Sequence, residues 1–207
     1  MSEIKTTRSF FFPTQVWTFK NPDAALNDQL RDHILALEKT EASVIKSNQG
    51  GWQSRENLVF DEAFAPLRQF FVNCVWTVLR ENKYRQDLSL FLTNGWANIN
   101  RGANYNLTHT HGRSDWSMAY YFTKVSPEMG TIYFNDPVTA RAINGAHGVF
   151  IDNPDMENKD SIEFTPNAGD LIVFPSWLPH GVKQNHSQQA RITFSCNFTV
   201  NPASGDK

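Results

Sequence analysis

Apolar positions along the 207-residue chain follow two different periods, and the change falls near Lys83. Before it, Leu26, Leu30, Ile34 and Leu37 recur every three or four residues, which predicts an amphipathic helix over 22–39. Asn21-Pro22-Asp23 supplies its start: a capping side chain, a proline at the first helical position and an early acid. Phe64, Leu67, Phe71, Val75, Val78 and Leu79 repeat the pattern and predict a second helix over roughly 61–81. Ahead of both, the aromatic run from Phe10 to Phe19, broken by Pro13, predicts a short edge strand. Between the helices, SNQGGWQS reads as a polar loop whose glycines turn the chain, with a lid as the functional alternative.

After Lys83 no helical period returns. Short β-rich runs follow: LSLFLTNGWANIN, WSMAYYFTKV, GTIYFND, GVFID, SIEFTP, DLIVFP and ARITFSCNFTV, separated by Gly, Pro, Asn and Asp. Seven or eight such strands after two helices predict an α+β, mainly β, architecture. The expected form is a β-sandwich or jelly roll with the two N-terminal helices packed outside. One domain is expected over 1–207, helical to about residue 85 and β from about 86 to 200.

Composition narrows the function. With 19 Lys+Arg against 21 Asp+Glu, the formal charge of -2 argues against a general polyanion binder, so no nucleic-acid partner is expected. Cys74 and Cys196 form neither a C-x-x-C motif nor a disulfide framework. No leader-like segment and no apolar run long enough for a membrane span is read, so a cytoplasmic protein is expected. The aromatic N-terminal strand is the one feature that suggests a homodimer, by edge pairing.

Of six histidines, His33 beside Asp32 reads as a surface residue, His147 as a loop residue and His186 as a solvated turn residue. His109 and His111 differ. On a strand, positions i and i+2 share a face, so this H-x-H can aim two imidazoles at one metal ion. His180 follows the strand-like DLIVFP and can bring a third ligand from a distant strand, the arrangement of a facial metal site. Arg191 lies eleven residues further on, across a polar stretch centred between Asn185 and His186, so a symmetric hairpin would place it opposite His180. Alternation puts Arg191, Thr193 and Ser195 on one face and Ile192, Phe194 and Cys196 on the other. An inward arginine needs an anion, and a ligand carboxylate held by two parallel hydrogen bonds would serve.

The segments GGWQS (50–54), GWANINRGANYNLTHTHGRSDWSMAYYF (95–122), GTIYFNDP (130–137), AGDLIVFPSWLPHGV (168–182) and RITFSCNF (191–198) resemble the 2-oxoglutarate and Fe(II) dependent oxygenase superfamily. Within it they resemble a 2-oxoglutarate oxygenase family of short bacterial and phage proteins. The resemblance implies a double-stranded β-helix core, the cofactors Fe(II), 2-oxoglutarate and O2, and oxidation of a small molecule or an amino-acid side chain with release of succinate and CO2. Carried onto this sequence, His109, His111 and His180 would hold the metal. Arg191 would grip the remote carboxylate of 2-oxoglutarate, with Thr193 or Ser117 adding a hydroxyl. Asn98 and Asn100 share a face and are candidates to line the pocket, as is Tyr121, and Tyr105 is a candidate cosubstrate contact. Trp52, Trp116 and Trp177 are candidates to shape its mouth. The superfamily pattern has a carboxylate at the second metal position where this chain has His111, so Asp115 as the alternative ligand, or a two-histidine site completed by water, stays open.

Two other readings compete. A three-histidine cupin would carry out metal chemistry without 2-oxoglutarate, and needs no arginine clamp. A binding module that kept the fold would bind no metal, although unpaired buried imidazoles are costly to retain.

Overall fold

The structure, a computed structural model, describes residues 13–138 and 160–203. The expected strand GVFID, His147 and the first residues of the Phe10–Phe19 run lie outside the described residues. The elements follow in chain order: β1 (Trp17–Lys20), α1 (Ala24–Thr40), β2 (Asn48–Gln49), β3 (Trp52–Gln53), α2 (Ala65–Glu81), β4 (Leu88–Asn100) and β5 (Tyr105–His109). Then come β6 (Trp116–Tyr121), β7 (Ile132–Asn135), β8 (Ser161–Phe164), β9 (Asp170–Pro175), β10 (His180–Val182) and β11 (Arg191–Pro202).

The first helix starts later than its sequence suggests. Asp23, not Asn21, is the cap: its carboxylate accepts from the Leu26 N–H at 2.9 Å. Asn21 is held instead in the turn from β1, its N–H donating to Gly169 O and its side chain accepting from the Asp23 N–H. The second helix is preceded by two 3-10 turns, Leu58–Phe60 and Glu62–Phe64, so its α-helical part begins at Ala65 with Pro66 in the first turn. Among the described residues, no helix is long and apolar enough to cross a membrane.

Two antiparallel sheets form the jelly roll. One has six strands in the order β1-β9-β6-β11-β4-β3, the other five in the order β2-β5-β10-β7-β8. Period-two alternation gives the six-stranded sheet two different faces. Its outer face carries Ala97, Ile99, Met118, Tyr120, Leu171, Val173, Ile192, Phe194 and Cys196, which pack with Leu30 and Ile34 of α1 and the buried side of α2. Phe64, Leu67, Phe71, Val75, Val78 and Leu79 are all buried there, as the helical period requires. Each such side chain contributes roughly 1.5–3 kcal/mol by leaving water. The inner face turns toward the five-stranded sheet.

GGWQS is not a lid. Gln49 and Trp52 flank a double glycine turn and enter different sheets, β2 pairing with β5 and β3 with β4. Trp52 is buried in the core and its indole N–H donates to Glu41 O at 2.9 Å.

Candidate metal centre

Three rows of side chains cross the inner face of the six-stranded sheet, set by strand register. Trp96, Ser195 and Ala119 form one row; Asn98, Thr193 and Tyr121 the next; Asn100 and Arg191 the third. On the facing sheet, His109, His180 and Phe134 lie side by side across β5, β10 and β7. These rows enclose one cavity, which His111, Asn106 and Phe174 also line.

A β-bulge shapes the histidine side. His180 pairs with His109 and Val182 with Asn106, so β5 spends one residue more than β10 over this stretch. Regular alternation would send Asn106 and His109 to opposite faces; the bulge lets both reach the cavity. Beyond β5, the His111 N–H donates to Ser176 O at 2.9 Å, tying the second histidine to the turn that ends β9.

The three imidazoles converge. Their ring centroids are 4.9 Å (109–111), 4.5 Å (109–180) and 5.1 Å (111–180) apart. One nitrogen from each lies within 4.8 Å of the others, close enough for one metal ion. Two of the rings have their tautomer set by the backbone. His109 Nδ1 contacts Leu107 O at 2.7 Å and His180 Nδ1 contacts Leu178 O at 2.8 Å. A carbonyl only accepts, so each Nδ1 carries the proton and each Nε2 keeps its lone pair. Such outer hydrogen bonds also fix ring orientation in metal sites. Burial pushes His180 down to about 3 and His111 to about 4, with the nearby His109 adding to both. His109 is lowered as well, again mainly by burial. All three are therefore neutral at pH 7, the protonation state a metal needs. Three neutral nitrogen donors on one side of a cavity fit Fe(II) and leave positions open for a bidentate partner.

Asp115 is elsewhere. Its carboxylate accepts from the Val200 N–H at 2.7 Å, and it lies outside the histidine group. The Gly112 loop does not fold back to bring it inward.

Arg191 is buried at 2% exposure and lines the same cavity from the opposite sheet. It does not face His180 across a hairpin. β10 belongs to the five-stranded sheet and β11 to the six-stranded one, so Arg191 pairs with Asn100 instead. The connection crosses between sheets and is pinned by Asn185, whose amide donates to Asn100 O and Gln189 O. Carbonyl groups hold the guanidinium: Nη1 donates to Met129 O (2.5 Å), Gly130 O (2.7 Å) and Lys183 O (3.4 Å). The Asn100 amide, turned to accept, takes Nη2 at 2.6 Å. Among the described residues no carboxylate pairs with it. Burial lowers Arg191 to about 10, so it remains a cation at neutral pH without an anionic partner. That is a costly state unless a ligand brings the charge.

The other sequence candidates divide. Thr193, Asn98, Asn100 and Tyr121 line the cavity, and the Asn98 amide oxygen has no partner. Ser117 does not line it: the hydroxyl bonds to Ser176 Oγ and accepts nothing from the cavity, donating to Asn197 Oδ1, both at 2.7 Å. Tyr105 lies on β5 beside Gln49, exposed and outside the lining. Trp116 packs in the helix-side core and Trp177 is exposed. His33 is half-buried, its ring tilted against that of Phe64 at 5.6 Å, and His186 is exposed. Sequence reasoning missed Asn106, whose inward turn depends on the bulge, and Trp96, whose ring lies 5.8 Å from that of His111. Even spacing from Asn98 and Asn100 was the signal for Trp96. A second cleft, about 310 Å³ between β1 and β8, has Lys20 and Asp170 as its charged residues, already paired at 2.9 Å.

Residues 94–197, half of the chain, match the profile of a family described as "Putative 2OG-Fe(II) oxygenase". The chain belongs to this family of 2-oxoglutarate-dependent non-haem iron oxygenases, whose cofactors are Fe(II), 2-oxoglutarate and O2. No curated protein sequence matches it. Solved structures share its fold. HygX from Streptomyces hygroscopicus, with nickel and 2-oxoglutarate bound, is 13% identical with a TM-score of 0.63, over 90% of this chain and 83% of its own. A Pseudomonas putida prolyl-4-hydroxylase is 14% identical with a TM-score of 0.63, over 90% and 92%. The epimerase SnoN from nogalamycin biosynthesis is 13% identical with a TM-score of 0.63, over 93% and 83%.

Proposed function

We propose that the chain hydroxylates an unactivated C–H of a small molecule or amino-acid side chain, with His109, His111 and His180 as metal ligands. The whole chain is read as one such oxygenase domain. The observation that carries the reading is the pairing of two features in one cavity. Two inward imidazoles stand on the five-stranded sheet with His111 just beyond it, and a buried arginine, without a carboxylate among the described residues, faces them from the other sheet.

Each residue then has a task. His109 and His180, locked by their Nδ1–H bonds, present Nε2 in a fixed direction, and His111 completes a facial set. Arg191 holds the remote carboxylate of 2-oxoglutarate, preorganised by the Met129, Gly130 and Lys183 carbonyls, so little rotamer freedom is lost on binding. Thr193, next to it on β11, adds a hydroxyl, and Asn98 offers its unpartnered amide. Phe134 and Phe174 pack against the His180 ring and keep water from that side. Iron held by His109, His111 and His180 would supply the oxidising chemistry, with 2-oxoglutarate as its co-reductant.

A cupin without 2-oxoglutarate has no use for Arg191 in this state. Anaerobic titration of 2-oxoglutarate into the Fe(II)-loaded protein, followed by visible absorbance, tests the choice. A charge-transfer band saturating at one equivalent is expected. Bound iron with no band would put the cupin reading first.

A further inference from the structure

Counted over the described residues, the cavity holds more positive charge than its cosubstrate neutralises. Imidazoles that offer Nε2 lone pairs are neutral ligands, so a divalent metal among them keeps its full charge of two. Arg191 adds a third. Against these, 2-oxoglutarate brings two carboxylates. Among the described residues the lining includes no Asp or Glu. Asp115, the first carboxylate after the histidine pair, is committed to the Val200 N–H. Glu163, on β8, is bonded to Thr131 Oγ1 and Lys183 Nζ. An aspartate in place of His111 would bring the sum to zero. The set present here leaves one positive charge beside a half-buried group of ligands, where it acts on whatever enters. Asn98, Thr193 and Ser195 stand along the same wall and can donate hydrogen bonds without adding charge.

Resting on the reading of the three histidines as metal ligands, we propose that the substrate of this enzyme carries a single carboxylate, which binds beside the metal and neutralises the residual charge. A neutral substrate of the same shape would leave that charge buried and unpaired. Arg113, exposed two residues after His111, adds a further positive charge to the loop that carries this ligand.

The test uses the anaerobic Fe(II) and 2-oxoglutarate complex and a matched pair of probes, acetate and acetamide, followed through the shift of the charge-transfer band at saturating 2-oxoglutarate. Acetate is expected to bind about tenfold or more tightly than acetamide. His111→Asp, which places a carboxylate among the metal ligands, should reduce that preference to near unity, with the iron content of the variant measured alongside. Equal binding of acetate and acetamide to the wild-type complex would overturn the proposal, whether or not the variant folds. So would an acetate effect that disappears as 2-oxoglutarate is raised, because it reports competition for the cosubstrate's own place. Absence of the band itself, with iron bound, would overturn the cosubstrate reading, and this inference with it.

Discussion

Replacing Arg191 with methionine removes the cation and roughly preserves the volume. The guanidinium is 2% exposed, so the ligand pair it makes is shielded from water and salt. A charge-assisted hydrogen bond contributes about 1.5–3 kcal/mol, and each 1.4 kcal/mol is tenfold in affinity. The apparent dissociation constant for 2-oxoglutarate should therefore rise by about ten- to hundredfold, and more if both parallel bonds form. Methionine also leaves the Met129, Gly130 and Lys183 carbonyls without their donor. Unfolding should occur at lower denaturant, by about 1–3 kcal/mol for the group left least satisfied. Metal affinity should hardly change, since none of the hydrogen bonds that hold His109, His111 and His180 involves Arg191. The assay is the anaerobic titration followed by visible absorbance, with Fe(II) binding measured separately. An unchanged constant, with normal iron binding, would remove Arg191 from the cosubstrate site and refute the argument from its missing carboxylate.

Three other outcomes follow from the same geometry. Gly130 sits at φ 80°, and a Cβ there would lie 2.0 Å from Lys183 O and 2.7 Å from Arg191 Nη1, so Gly130→Ala should weaken 2-oxoglutarate binding yet spare metal binding, both read by titration. Asp115→Ala should leave metal stoichiometry and affinity unchanged in a competition assay while lowering stability by about 1 kcal/mol through loss of the Val200 N–H bond; a large fall in metal affinity would return Asp115 to the ligand set. The metal-free protein should lose stability as pH falls from about 6.5 toward 4. His180 and His111 stay neutral when folded, at about 3 and about 4, whereas the unfolded chain takes up protons below its ordinary value of 6.5. The slope should approach about 1.4 kcal/mol per pH unit for buried His180, with less from the partly exposed His111. Urea midpoints at pH 7.5 and 5 check this, and a higher midpoint at pH 5 would contradict it.

Local pattern was enough for much of this protein. Period marked the buried side of α2 and the two faces of β11, and β-rich runs between turn residues marked the bounds of β4 and β9, because a side chain's direction on a helix or strand depends on its own backbone. The same reasoning put His109 and His111 within reach of one ion. What tertiary structure decided was partnership. Residues 180 and 191 look like the two arms of a hairpin, yet their strands join different sheets, so Arg191 meets the histidines across the sandwich and lies beside Asn100. The bulge that turns Asn106 inward exists only where β10 lies against β5. Ser117 shares the inward parity of Tyr121, but Ser176 and Asn197 claim its hydroxyl at the sheet's end. Asp115 stood as close in sequence as any rival ligand until a backbone N–H on β11 took its carboxylate. Sequence spacing carries direction over a few residues; which distant strand supplies the neighbour is settled only when the two sheets close on a shared core.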